Sequence, residues 1–220
     1  MVHDASELIF ADRDEAGRLL AEAVAAQMPK HPGPIPLVLA LPRGGVPVAV
    51  RVAARIGAEL DLVIARKIGA PGRPEFGVGA VAEDGPPVFD EDSLANLGLA
   101  PADFEDAVAA ERAELGRRVR EYRGDRPPPD PTGREVVVVD DGLATGVTAR
   151  ATLRWLAGRH PQRLVFAAPV CAPRARDGLS GYADSVICLS APATFRAVGQ
   201  WYSDFRQLTD ADVRSFFAHS

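Results

Sequence analysis

A chain of 220 residues, 47% apolar and 25% charged, has the size and composition of one α/β domain with a substantial core. Its net charge of −5 speaks against general affinity for nucleic acid, and no apolar run approaches a membrane span. Two cysteines and four scattered histidines, without a Cys-x-x-Cys, exclude a zinc cluster; Cys171 and Cys188 read as buried free thiols of a reducing cytosol. Met1 to Phe10 has two acids and no apolar centre, so no secretory leader is expected and the location predicted is cytoplasmic.

Taken in chain order, residues 12–28 have helical apolar spacing (Leu19, Leu20, Ala23, Val24, Met28), and KHPGPIP (30–36) ends that helix. Leu37 to Leu41 predicts a buried strand, Arg43-Gly44-Gly45 a turn, 46–57 a helix and 62–65 the next strand, together a right-handed βαβ unit. Residues 67–79, with four glycines and two prolines, read as a mobile loop, followed by a hairpin over 78–89. A long charged helix is expected over 101–123. Its arginines (Arg112, Arg117, Arg118, Arg120, Arg123) interleave with Glu111, Glu114 and Glu121, which favours a solvated face laced with i,i+4 pairs. The segment 124–133 is an extended, proline-rich connector inside one domain rather than a boundary between two. A strand near 136–139 follows, then a helix near 147–158, strands at 163–168 and 184–189 with a short helix over 173–180 between them, and a last helix near 209–218 capped by Thr209 or Asp210. A single domain over 1–220 is expected, with a core of about 30–192 followed by a C-terminal part at about 193–208 plus that last helix.

The chemistry concentrates in VVVVDDGLATGVT, residues 136–148. Four valines suit a strand buried on both faces of a parallel sheet. The strand ends in Asp140 and Asp141, and a glycine-bearing turn leads into a helix. Gly142, Leu143, Ala144, Thr145, Gly146, Val147 and Thr148 can hold a phosphate through loop amides, threonine hydroxyls and the helix dipole. The two carboxylates would repel a phosphate and suit hydroxyls or a metal. A ribose 5-phosphate satisfies both halves, its diol on the acids and its phosphate in the loop.

This segment resembles the 5-phosphoribosyl-1-diphosphate (PRPP) motif of type I phosphoribosyltransferases: a hydrophobic strand, two acids and a loop ending in Thr-Gly-x-Thr. The resemblance implies an α/β fold with a twisted parallel central sheet flanked by helices and a small C-terminal hood. It implies transfer of the phosphoribosyl group from PRPP to a nitrogenous base, purine-like by preference, with release of pyrophosphate and use of Mg²⁺. Asp140, Asp141, Arg43 and Lys67 would be the catalytic set. Arg43, Gly44, Gly45, Arg66, Lys67 and Arg206 would meet the pyrophosphate. The 67–79 segment resembles the family's flexible loop, bringing Arg73 and Glu75 to the ligand. TFRAVGQWYSDFRQL (194–208) is similar to the hood of hypoxanthine-guanine enzymes, which gives Phe195 a stacking role on the base, Arg196 a reading role, and Asp204 a place near the metal with Asp140 and Asp141. A hydrophobic plug is the other reading of Phe195, Trp201, Tyr202 and Phe205. Ala144 stands where oxopurine enzymes carry an acid, as in adenine enzymes, and no lysine follows Lys67, so the acceptor is left open. Partners expected are small molecules, with no nucleic acid and no membrane, and a homodimer by family analogy. A PRPP- or nucleotide-sensing protein with little turnover is the alternative, as is one part of a larger system with a partner hydrolase.

Overall fold

The computed structural model describes residues 8–29, 33–70, 73–124 and 126–217; the side chains of 73–76 lie outside that description. Helix α1 (Arg13–Gln27) starts at Asp12, whose carboxylate accepts the Glu15 N–H at 2.9 Å, while Glu15 Oε2 accepts the Ala11 N–H at 2.6 Å. These reciprocal bonds satisfy donors that a helix start otherwise leaves open. Strand β1 (Leu37–Ala40) leads to α2 (Gly45–Ile56) and β2 (Glu59–Leu62). After an excursion the chain returns as β6 (Glu135–Val139), α5 (Val147–Ala157), β7 (Arg163–Val170), α6 (Pro173–Asp177) and β8 (Ser185–Ser190). The five strands pair in parallel in the order β2-β1-β6-β7-β8.

Strands β1 and β6 are central and wholly buried, and their residues alternate between two apolar layers. Val38, Ala40, Val137 and Val139 face Leu20, Val24, Val48 and Val52 of α1 and α2. Leu37, Leu39, Val136 and Val138 face Leu153 and Leu156 of α5. A continuous valine run is what a strand covered on both faces requires.

The excursion departs from the sequence expectation. The predicted strand at 62–65 belongs one step earlier: β2 ends at Leu62, Val63 gives its N–H to Ala40, and Ile64 gives its N–H to the Glu83 carboxylate as the chain leaves the sheet. Residues 67–70 and 73–79, expected in a loop, are strand. Strands β3 (Ala65–Ala70), β4 (Arg73–Ala82) and β5 (Val88–Phe89) form a separate antiparallel sheet. Ile68 and Ala70 are buried while Lys67 is exposed, the alternation of a half-buried strand; glycines coincide with register shifts at Ile68, Gly69 and Ala70 rather than with a free loop. An unexpected helix, α3 (Glu91–Leu97), runs from the Asp90 cap to Gly98 in the left-handed region. The long helix begins as a 3₁₀ turn over Pro101–Phe104 and continues as α4 (Glu105–Arg123). Its pairs Arg117–Glu114, Arg117–Glu121 and Arg118–Glu114 are as expected of a solvated face. Arg123 is not solvated: it is buried against Glu83 and the Leu62 carbonyl. Finally α7 (Asp210–Phe217) is capped by Thr209, whose hydroxyl accepts the Asp212 N–H.

Candidate functional site

Asp140 and Asp141 stand where β6 ends, in the middle of the sheet's carboxyl edge, the place where open α/β sheets bind ligands. Both open onto a cavity of about 580 Å³. Leu41 and Pro42 from the end of β1 and residues 142–146 with Thr148 form one side of it; Arg66, Lys67, Glu111 and Arg118 form the other, and Val198 touches it from the hood.

The loop after the acids is shaped by its neighbours. Leu143 is buried, gives its N–H to Val170 and accepts from Ala172, which pins the loop to the end of β7. Its amide is therefore spent and its side chain serves packing, as does buried Val147. Gly146 sits at φ +74°, a left-handed conformation that glycine adopts without strain, and opens α5 with no side-chain cap. The first-turn amides of α5, with Thr145 and Thr148, are thus available to an anion at a positive helix end.

The carboxylates are closely constrained. Asp140 Oδ1 accepts the Asp141 N–H at 2.8 Å. Asp141 Oδ2 accepts from Arg13 Nε at 2.8 Å, and the Asp141 carbonyl accepts from the Tyr202 hydroxyl at 2.6 Å. Gly44 lies directly against this carboxylate, since a Cβ there would fall 1.9 Å from Asp141 Oδ2. Burial raises the Asp140 carboxyl well above its usual range; the charge of Asp141 adds to this and Lys67 opposes it. Burial also raises Asp141, against the pull of Arg13.

Arg13 was not singled out in the sequence, and Glu111 and Arg118 were assigned to the solvated face of the long helix. Arg13 is the first residue of α1 and is nearly buried. Its guanidinium also donates to the Arg206 carbonyl at 3.0 Å and lies 4.0 Å over the Phe205 ring. Glu111 pairs with Arg66 at 2.8 Å, so one face of α4 is a wall of the cavity and not only a solvated surface.

Several residues expected at the site lie elsewhere. Arg43 is not among the cavity residues; it points to Asp210 of α7 at 3.8 Å, and the Pro42–Arg43 peptide is cis. Gly44 and Gly45 act by letting this turn press on the end of β6. Asp204 and Arg206 line a second cavity, of about 380 Å³, with Asp12, Arg13 and Arg51. The cause is local: Ser203 and Asp204 give their N–H groups to Phe10 and Ala11, which draws this part of the hood toward the start of α1. Phe195 stacks on Trp201 with centroids 6.4 Å apart, and Arg196 is exposed. The plug reading holds for the hood aromatics: Trp201 and Tyr202 are buried with Phe10 and Val170, and Phe195, Val198 and Phe205 pack on them. The side chains of Arg73 and Glu75 lie outside the described residues. Among the described residues no group of three or more His, Cys, Asp or Glu is arranged to hold a metal, and no helix is long and apolar enough to cross a membrane. Two carboxylates still fit Mg²⁺, which commonly takes one or two protein carboxylates and completes its shell with phosphate oxygens and water. Both cysteines are free, Cys171 buried and Cys188 half-buried.

Against known proteins, the model of the phosphoribosyl transferase domain matches residues 13–205. Two curated proteins of Mycobacterium tuberculosis, from strains CDC 1551 and H37Rv, carry the provisional name phosphoribosyl transferase. Each is 40% identical over 208 residues, which is 94% of this chain and 46% of theirs. The chain therefore spans about half the length of these relatives. The crystal structure of TT1426 from Thermus thermophilus is 44% identical, with a TM-score of 0.79 over 96% of this chain and 98% of that one. AQ2163 from Aquifex aeolicus shares the fold at 11% identity, with a TM-score of 0.50 over 81% and 72% of the two chains.

Proposed function

The chain belongs to the phosphoribosyl transferase domain family, and from that membership we infer that it moves the 5-phosphoribosyl group of PRPP to a nitrogenous base and releases pyrophosphate. One observation carries the reading: two half-buried carboxylates and an uncapped helix start open onto a single cavity. The amides of residues 144–148 with Thr145 and Thr148 receive the 5′-phosphate. Asp140 and Asp141 receive the 2′ and 3′ hydroxyls and stabilise positive charge growing on the sugar. Anchoring the phosphate spends remote binding energy on orienting the anomeric carbon. Lys67 and Arg66 on the opposite wall stabilise the departing pyrophosphate. Asp140 and Asp141 are the residues that would hold Mg²⁺, which when bound would supply charge neutralisation for the departing pyrophosphate. Arg43, Arg206, Asp204, Phe195 and Arg196 have no part in this scheme, because they are not among the residues that line the cavity. Val198 and the Arg66–Glu111 pair are what an acceptor base meets in place of an aromatic ring.

The test is pyrophosphate release from PRPP and Mg²⁺ across a panel of purine, pyrimidine and other ring-nitrogen acceptors. One acceptor should support turnover, and Asp141→Asn should lower it about 100-fold. Binding of PRPP without turnover across the panel marks a sensing protein. Absence of any thermal shift with PRPP or ribose 5-phosphate sinks the assignment, because a ligand that binds only the native state must raise its apparent stability.

A further inference from the structure

Asp141 is fixed from three sides. Arg13 holds Oδ2 with Nε at 2.8 Å, the Gly44 backbone closes the space behind it, and the Tyr202 hydroxyl holds its carbonyl. Among the described residues, Arg13 is the cation that holds this carboxylate, its other side-chain hydrogen-bond neighbour is Asp140, and the carboxylate is part of the cavity lining. Arg13 is itself held. Its Nη1 donates to the Arg206 carbonyl at 3.0 Å, its plane lies on Phe205, and only 10% of its side chain is exposed. A guanidinium anchored at two edges and stacked on a ring has little rotamer freedom left, so the carboxylate it holds is fixed as well.

We propose that Arg13 is a positioning residue for sugar recognition: by binding Asp141 Oδ2 it turns the remaining carboxylate oxygen toward the ribose hydroxyls of the bound phosphoribosyl group. The role rests on the assignment of the cavity to a ribosyl phosphate. It differs from a plain structural role in what it controls. Among the described residues, the hydrogen bonds and ring contacts of Arg13 go to Asp141, Arg206, Tyr202 and Phe205 and none to the phosphate loop, so its effect falls on the diol end of the ligand and leaves the phosphate end unchanged.

Calorimetric titration of the full chain with ribose 5-phosphate, 2-deoxyribose 5-phosphate and inorganic phosphate separates these roles. The unaltered chain should prefer ribose 5-phosphate over its 2-deoxy analogue. Arg13→Gln should weaken ribose 5-phosphate about tenfold, the scale of one charge-assisted hydrogen bond, weaken its 2-deoxy analogue less because that sugar keeps only one hydroxyl of the pair, and leave inorganic phosphate unchanged. Arg13→Lys keeps the charge without the fork, and should restore part of the preference. Equal ribose 5-phosphate affinity in folded Arg13→Gln, or a parallel loss for all three ligands, overturns the proposal. If Arg13→Gln does not fold, the same comparison on Arg13→Lys decides it, with undiminished sugar preference as the overturning result. Binding of none of the three by the unaltered chain refutes the cavity assignment itself, and this inference with it.

Discussion

At Gly142 the hood meets the anion loop. A Cβ there would lie 2.4 Å from Val198 Cγ1, closer than any real contact, so Gly142→Ala must displace either the hood or the loop. The expected cost is about 1–3 kcal/mol, the range of overpacking in a filled core, read as a lowered urea midpoint. Val198→Ala in the same chain should recover most of it; a double variant no better than the single one would show that the loop, not the hood contact, is the strained part. The acids and the 142–148 loop were legible because everything they need is local: a buried valine strand, adjacent acids and a glycine at a helix start. Arg13 was not, because its partner lies 128 residues away and an arginine opening an amphipathic helix has nothing in its neighbourhood to distinguish it. Phe195 and Arg206 erred in the opposite direction. Their spacing matched a known hood, yet hydrogen bonds from 203 and 204 to residues 10 and 11 turn that segment another way.

Among the elements, α3 is short, yet its start is written in the sequence. Asp90 accepts from the Ser93 N–H and hydroxyl and from Arg150 Nη2 at 2.7 Å, and Glu91 and Asp92 follow in the first turn. These are start signals as strong as those of α1. Burial alone would raise the Asp90 carboxyl; the Ser93 bonds and the Arg150 guanidinium outweigh it and hold the pKa below the usual value. A depressed folded-state pKa gives stability that is complete above the unfolded pKa, about 3.9, and is lost as pH falls through the lower folded value. Asp90→Ala should therefore cost about 1–2 kcal/mol near neutrality, and its urea midpoint should converge on that of the parent as pH drops below about 4. A gap that stays constant down to the folded pKa would mean that Asp90 acts through something other than its charge. The β3–β4 pair was misread for a different reason. Glycine and proline count as loop signals in isolation, whereas the alternation of Ile68 and Ala70 becomes decisive only with a partner strand in register.

For the molecule as a whole, the parallel sheet and its helices followed from hydrophobic runs and their order, while the second sheet, built entirely between β2 and β6, did not. A buried ion pair links the two sheets beside the apolar layers they share, Ile68, Val78 and Val81 in one and Ala80, Ala82 and Val88 in the other. Arg123 reaches Glu83 at 3.1 Å and the Leu62 carbonyl at 2.9 Å, and Glu83 also takes the Ile64 N–H. Removing one partner leaves the other charge buried and alone, so Arg123→Met should cost about 3–5 kcal/mol. Adding Glu83→Gln should return much of this, and equilibrium unfolding of the two variants checks both statements. The pair also bears on how the cavity is built. Asp140, Asp141 and the anion loop hang from the five-stranded sheet, whereas Arg66 and Lys67 ride on β3 and Glu111 and Arg118 on α4. Among the described residues no ladder of strand hydrogen bonds runs between these jaws. The two walls of the cavity thus belong to separately hydrogen-bonded sheets held together by side chains, so a substitution in their shared apolar layers reshapes the site without breaking a strand pair.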